Sequence, residues 1–216
     1  MVDQVPPQDL KVDRTFDGYE ASYESFDDRP GLSDSAAKLQ AIGLGDLTGL
    51  NVLDIGCNEG FFCGAARKHG AASVVGMDRD AASLAEARRR FPDCTFVEMS
   101  WDDPWDASVP GIGSFDLVFM FSAIHYAANP EQLVQRIAAS MRPGGVLLLE
   151  CGIAEGDADR VLVERTHDQT WHFTRIGLTH LLQGFTIEAE HPSVAQETDP
   201  VPRFVIQARL TAAASG

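Results

Sequence analysis

The stretch Asn51 to Gly60 constrains this chain more than any other. An apolar run, Val52-Leu53, reaches a carboxylate at Asp54 and then breaks into a turn held by Gly56 and Gly60. Phe61-Phe62-Cys63-Gly64-Ala65-Ala66 follows, with the small and apolar residues of a buried helix. Strand, glycine turn and helix together bring backbone N–H groups to face a ligand at a helix N-terminus. Glycine permits φ > 0 and close approach, so the turn fits a nucleoside-sized group.

The same alternation continues downstream. Ser73 to Asp78 reads as a second buried strand, Asp80 to Arg90 as a helix, Thr95 to Met99 as a third strand and Phe115 to Phe121 as a fourth. Asn129 and Pro130 are an N-cap and first-turn proline for a helix striped by Leu133, Val134, Ile137 and Met141. Arg142-Pro143-Gly144-Gly145 ends that helix and feeds a fifth strand, Val146 to Glu150. A helix over Thr174 to Gln183 precedes two strand runs, Gly184 to Glu190 and Arg203 to Leu210. The residues between those two runs are too few for a parallel crossover, so they form an antiparallel hairpin. The expected fold is α/β: a doubly wound, Rossmann-like sheet of seven strands, mostly parallel, with one antiparallel edge hairpin and helices on both faces.

Ahead of this domain, assigned to residues 46–212, lies an N-terminal segment, 1–45. Phe16, Tyr19, Tyr23 and Phe26 recur every three or four residues there, which predicts one face of a helix. That helix either packs on the core or forms a lid whose Tyr19 and Tyr23 close over the ligand. Ser33-Asp34-Ser35 caps a further helix through Ile42, stopped by Gly43.

The net charge is −15, from 17 basic and 32 acidic residues. Phosphate backbones are bound by Lys and Arg that displace counterions, so a nucleic-acid partner is disfavoured. Arg88-Arg89-Arg90 is the one basic run, and a helix C-terminus accounts for it. Cys57, Cys63, Cys94 and Cys151 lack the paired spacing of a zinc site and read as buried thiols. No apolar run reaches the length of roughly 20 residues that spans a bilayer. With no basic flank or apolar core at the N-terminus, the expected address is the cytoplasm.

A dinucleotide fingerprint needs a third glycine where Phe61 stands, and no Gly-Lys-Ser/Thr completes a phosphate loop. The pattern that does match is Asp54-x-Gly56-x-x-x-Gly60 with Asp78 ending the next strand. It resembles the class I S-adenosylmethionine-dependent methyltransferases over residues 51–210. Asn58 stands where those enzymes usually carry a further glycine. The resemblance implies a cofactor site built from Asp54, Gly56, Cys57, Asn58 and Gly60, with the Asp78 carboxylate on the ribose hydroxyls and Arg79 beside it. It puts Ser100 and Trp101 at the adenine, although Trp101 also fits as core filler, and Phe121 and Ser122 at the methionine part. Phe121-Ser122-Ala123-Ile124-His125-Tyr126 with Arg142-Pro143-Gly144-Gly145 is similar to bacterial wobble-uridine-modifying methyltransferases and to small-molecule relatives.

Methyl transfer from a sulfonium mainly requires the acceptor to be held in line, and a base helps a hydroxyl more than an amine. His125 follows the fourth strand, where the reacting methyl is expected, and is the candidate base; capping of its loop or packing on the cofactor is the alternative. Tyr126, Glu150, His167 and His172 are further candidates, and Trp171-His172-Phe173 is expected on the acceptor wall. The favoured reading is an enzyme, monomeric or homodimeric, acting on a small-molecule oxygen or nitrogen. An RNA methyltransferase and a non-catalytic cofactor-binding module are the alternatives.

Overall fold

The computed structural model describes residues 15–16, 19–20, 23–106, 108–164, 169–195 and 199–211. The first described elements are two short strands, β1 (Thr15–Phe16) and β2 (Tyr19–Glu20), paired antiparallel with Phe16 opposite Tyr19. This overturns the helix expected from Phe16 to Phe26. The aromatic spacing was compatible with a helical face, but Asp17-Gly18 falls between the paired residues, and that dipeptide favours a two-residue hairpin connection. Further along, Phe26 and Arg29 bridge a tight turn and Glu24 bridges to Ser33.

α1 (Ser35–Ile42) then forms as expected, with the Asp34 side chain accepting from Ala37 N–H and Gly43 left-handed at its end. The core follows as β3 (Asn51–Ile55), α2 (Phe61–Lys68), β4 (Ser73–Asp78), α3 (Ala81–Arg90), β5 (Thr95–Glu98) and β6 (Phe115–Phe121). After it come α4 (Pro130–Ser140), β7 (Met141–Gly152), β8 (Arg160–Glu164), β9 (Gln169–Phe173), α5 (Arg175–Leu181), β10 (Phe185–Pro192) and β11 (Arg203–Leu210).

Seven strands form one sheet in the order β10-β11-β7-β6-β3-β4-β5. The five from β7 to β5 are parallel, whereas β11 and β10 are antiparallel. The expected fold class therefore holds. Two local expectations do not. Arg142 to Gly145 lies within β7 instead of forming a separate turn, with Gly144 at φ 79° and a register shift beside Phe115 absorbing the irregularity. The segment after β7 also carries an unanticipated antiparallel hairpin, β8–β9.

Alternation along the strands sends side chains to opposite faces. Leu53, Ile55, Val118 and Met120 join one core with Ile137 and Leu178 from α4 and α5. Val52, Leu117 and Phe119 join the other with Phe62, Ala66, Leu84 and Ala87 from α2 and α3. Among the described residues, no helix is long and apolar enough to cross a membrane.

Candidate active site

β3 lies between β4 and β6, so the chain leaves the sheet in opposite directions on either side of it. A crevice opens at the strand C-termini of such a switch point. There the backbone turns at Gly56 (φ 74°), and the N–H groups of Gly56 and Cys57 both donate to the Met77 carbonyl, at 2.8 and 3.0 Å. Asn58 occupies the left-handed region at φ 48°, and its N–H donates to Asp78 Oδ2 at 2.9 Å. Asparagine tolerates that conformation better than other side chains, which explains how it replaces glycine here. The other Asp78 oxygen accepts from Asp80 N–H at 2.9 Å, so one carboxylate ties the β3 turn to the start of α3. Gly60 (φ 83°) opens α2, where a Cβ would press on Phe96, Ala87 and Phe91 at 3.1–3.2 Å.

The pocket beside this turn is lined by Tyr23, Glu24, Ser33, Ser35, Lys38, Asp54, Gly56, Asn58, Phe62, Phe121 and Ser122. Of the residues expected at a cofactor, Asp54, Gly56, Asn58, Phe121 and Ser122 meet there, together with Tyr23 from the expected lid. Trp101 lies at the turn's edge: a Cβ on Gly56 would fall 3.2 Å from its ring. Cys57 is buried behind the turn. Ser100 spends its hydroxyl on Asp102 N–H within its own turn, and Arg79 is exposed beside Asp78. Glu24 and Lys38 were not anticipated from sequence. They reach the pocket by tertiary packing, with no local motif to mark them.

Asp54 is buried, and burial pushes its carboxyl up to about 7 even though the Cys63 thiol donates to it at 3.3 Å. Burial likewise holds Glu24 well above the usual carboxylate range, against the opposing hydrogen bond from Phe61 N–H. On the β6 side, Ser122 (φ 55°) accepts from Lys38 Nζ at 3.0 Å and from Arg203 Nη2 at 2.8 Å, and donates to Glu150 Oε2 at 2.7 Å.

His125 lies in a 3-10 turn, Ile124–Tyr126, directly after β6. Its ring stacks on His172 at 5.8 Å and tilts against Tyr126 at 4.0 Å. Strand alternation puts Trp171 and His172 on opposite faces of β9: His172 is buried and Trp171 is 43% exposed. Only one of the two, His172, shares the side of His125. Tyr19 lies in β2, and His167 lies outside the described residues. Among the described residues, no cluster of three His, Cys, Asp or Glu is arranged for a metal ion.

The crevice offers polar groups that a ligand could satisfy. Asn58 Oδ1 and Trp101 Nε1 are buried against the glycine turn without hydrogen-bond partners among the described residues, an acceptor and a donor open to a polar ligand. Buried carboxyls at the ends of β3 and β4 suit ribose hydroxyls and a cationic centre.

The comparisons with known proteins agree with this geometry. A family model described as a methyltransferase domain, Methyltransf_11, matches residues 53–149. A tRNA U34 carboxymethyltransferase from Idiomarina loihiensis is 30% identical over 126 residues, covering 56% of this chain and 38% of that protein. The chain thus spans under two fifths of that relative's length. A trans-aconitate 2-methyltransferase from Variovorax paradoxus is 36% identical over 100 residues, covering 46% of this chain and 37% of that one. Among solved structures, an S-adenosylmethionine dependent methyltransferase from Mesorhizobium loti superimposes with a TM-score of 0.65 at 25% identity, covering 83% of this chain and 100% of that one. The family model marks residues 53–149 as a methyltransferase domain, and the strand order and acid–glycine crevice give the chain the fold of the S-adenosylmethionine-dependent methyltransferases.

Proposed function

We propose that this chain transfers the methyl group of S-adenosylmethionine to an oxygen or nitrogen of a small-molecule acceptor. The bound donor supplies an electrophilic methyl on a sulfonium. The protein's part is to hold the donor across β4, β3 and β6 and to bring the acceptor in line beside Ser122 and His125. Asp78 is assigned to the ribose, Arg79 to its outer side, and Ser100 and Trp101 to the adenine. The Cys57 and Gly60 backbones close the turn around the ligand. The acceptor wall is assigned to His125, His172 and Tyr126, with Trp171 at its outer rim and Tyr19 and Tyr23 on the N-terminal side.

The observation that carries the small-molecule reading is the fate of the one basic run. Arg89 pairs with Glu86 at 2.7 Å, Arg90 with Asp28 at 2.9 Å and Glu86 at 2.7 Å, and Arg88 donates to the Phe96 carbonyl at 3.0 Å. Cations already paired inside a chain of net charge −15 have little to offer a phosphate backbone. The trans-aconitate relative supports including small carboxylic acids among trial acceptors.

The tRNA U34 relatives favour a second reading, modification of a tRNA. Incubating the protein with labelled S-adenosylmethionine and either a panel of small acids, phenols and amines or bulk tRNA separates the two. Label in a small product supports the proposal, whereas label confined to tRNA, with RNA affinity falling steeply as salt rises, overturns it. With a hydroxyl acceptor, His125→Ala is expected to lower kcat by about 10²–10⁴-fold, the usual contribution of a positioned base.

A further inference from the structure

The β8–β9 hairpin forms a sheet of its own, and one of its edges is open. Among the described residues β8 pairs only with β9, and none of its five residues is buried. On the far side of β9 the Phe173 carbonyl accepts from Ala154 N–H at 2.9 Å, so that edge is occupied at Phe173. Thr174 N–H donates to the Asp159 carbonyl at 3.0 Å, which fixes the phase of the ladder. The hydrogen-bonded pairs are then Val161 with His172 and Val163 with Thr170. The backbone groups of Arg160, Leu162 and Glu164 point away from β9 and have no backbone partner among the described residues.

An open strand edge is a template for a further strand, and the side chains on this edge select which one. β8 reads Arg160-Val161-Leu162-Val163-Glu164, a cation, three apolar residues and an anion, symmetrical about Leu162. Laid antiparallel on a second copy of itself, with the two-fold axis at Leu162, it sets Arg160 opposite Glu164 at both ends and Leu162 opposite its counterpart. These are the residues whose backbone groups are open, so charge pairing and ladder bonding fall in the same register. Sliding by two residues in either direction sets a charge opposite Leu162, and sliding further sets like charges together. The end residues are loosely held within one chain: Arg160 lies 3.9 Å from exposed Glu131, and Glu164 accepts from Gln169 at 3.4 Å. Exposed pairs of this kind are worth little. Leu162 stands opposite Trp171 across the hairpin, and both are exposed. Self-pairing joins these apolar pairs from two copies into one stripe.

We propose that β8 is a self-pairing edge through which two copies of this chain associate, giving a four-stranded antiparallel sheet in the order β9-β8-β8-β9. A two-fold interface uses the same patch on both partners, and a strand with this symmetry of charge meets that condition. His172 remains stacked on His125 of its own chain, away from the shared edge. Five residues per strand fall short of the roughly 1,200 Å² that stable interfaces bury, so the association is expected to be weak and dependent on concentration.

Sedimentation velocity over a dilution series tests the pairing. The mean mass of the unmutated protein is expected to rise with concentration from 23.4 kDa towards twice that value. Arg160→Glu and Glu164→Arg each set like charges opposite one another at both ends, and each alone is expected to weaken association about tenfold or more. Mixed in equal amounts, the two variants bring opposite charges together again and are expected to associate about as tightly as the unmutated protein. Leu162→Pro removes an N–H that faces the open edge and leaves the β8–β9 ladder its bonds, so this variant is expected to stay monomeric. If Leu162→Pro does not fold, as read from its melting temperature, the charge variants decide. The proposal is overturned by an unmutated protein that stays at 23.4 kDa up to its solubility limit. Single charge variants that associate as tightly as the unmutated protein, or a mixture no tighter than its components, overturn it equally.

Discussion

Asp54 shows at the scale of one side chain how a buried carboxyl at the proposed donor site costs stability. Its carboxyl ordinarily titrates at 3.8 and here is pushed up to about 7, first by burial. Because the folded value is the higher one, the unfolded chain loses its proton first as pH rises. The resulting destabilisation is absent below the unfolded value, grows between about pH 4 and pH 7, and is complete above the folded value. At about 1.4 kcal/mol per pH unit, the empty protein gives up on the order of 4 kcal/mol at this position. Asp54→Asn removes the titration and keeps the shape. It is expected to raise the unliganded melting temperature at pH 8 by several degrees, at about 2–4 °C per kcal/mol for a domain of this size, with no gain at pH 4. The same substitution is expected to weaken S-adenosylhomocysteine by about tenfold or more, the usual exchange of stability for function at a strained site. Melting scans across pH, paired with calorimetry, check both halves. A lower melting temperature at pH 8 would falsify the idea that this carboxyl is held at the expense of the fold.

At the scale of elements, β4 is held close to α2 by what it lacks. A Cβ on Gly76 would lie 2.8 Å from the sulfurs of both Cys57 and Cys63 and 2.9 Å from Phe96. All three neighbours are fixed by the core between the sheet and α2. Gly76→Ala is therefore expected to destabilise the fold by about 1–3 kcal/mol, the cost of overpacking, read as a lower urea midpoint at unchanged slope. Elements of this kind were legible because their signals are local. Apolar runs between turn residues gave β3, β4, β6 and β11 with the boundaries observed, and Asp34, Asp80, Asn129 and Thr174 cap the helices expected after them. Where sequence reading failed, the deciding contacts were not local in that sense. The aromatic spacing from Phe16 to Phe26 satisfied a helical template, yet hairpin pairing prevailed at its start. β8 reads Arg-Val-Leu-Val-Glu, a run too short to separate from a loop until β9 pairs with it. The site divides in the same way. Asp54, Gly56 and Asp78 belong to one strand–turn–strand pattern, whereas Glu24 meets α2 across 37 positions and Lys38 meets Ser122 across 84.

Across the whole molecule, one buried ionic cluster joins parts that the sheet alone would leave loosely coupled. Arg203, at the start of antiparallel β11, grips both oxygens of Glu150 on parallel β7 at 2.7 and 2.8 Å and also reaches Ser122 after β6. Lys38 brings α1 onto the same serine, and Asp199 flanks Arg203 at 3.3 Å. Burial alone would push the Glu150 carboxyl up, but the Arg203 hydrogen bonds and charge, with Lys38 and Ser122, hold it at about 2 against an ordinary 4.5. A depressed folded value contributes stability that is fully present above about pH 4.5 and lost as pH falls towards 2. The corresponding contribution is on the order of 3 kcal/mol. Arg203→Met leaves that carboxylate buried without its counter-charge and is expected to cost about 3–5 kcal/mol at pH 7. The same variant should lose less than the unmutated protein on acidification from pH 5 to pH 3, because its Glu150 no longer titrates low. Adding Glu150→Leu should recover most of the loss, since a matched apolar pair replaces a buried ion pair at little net cost. Urea unfolding of the two single variants and the double variant at pH 7, 5 and 3 checks the sequence of effects. Additive losses at pH 7 would mean that Glu150 and Arg203 act separately and that the antiparallel edge is held to the parallel sheet by backbone pairing alone.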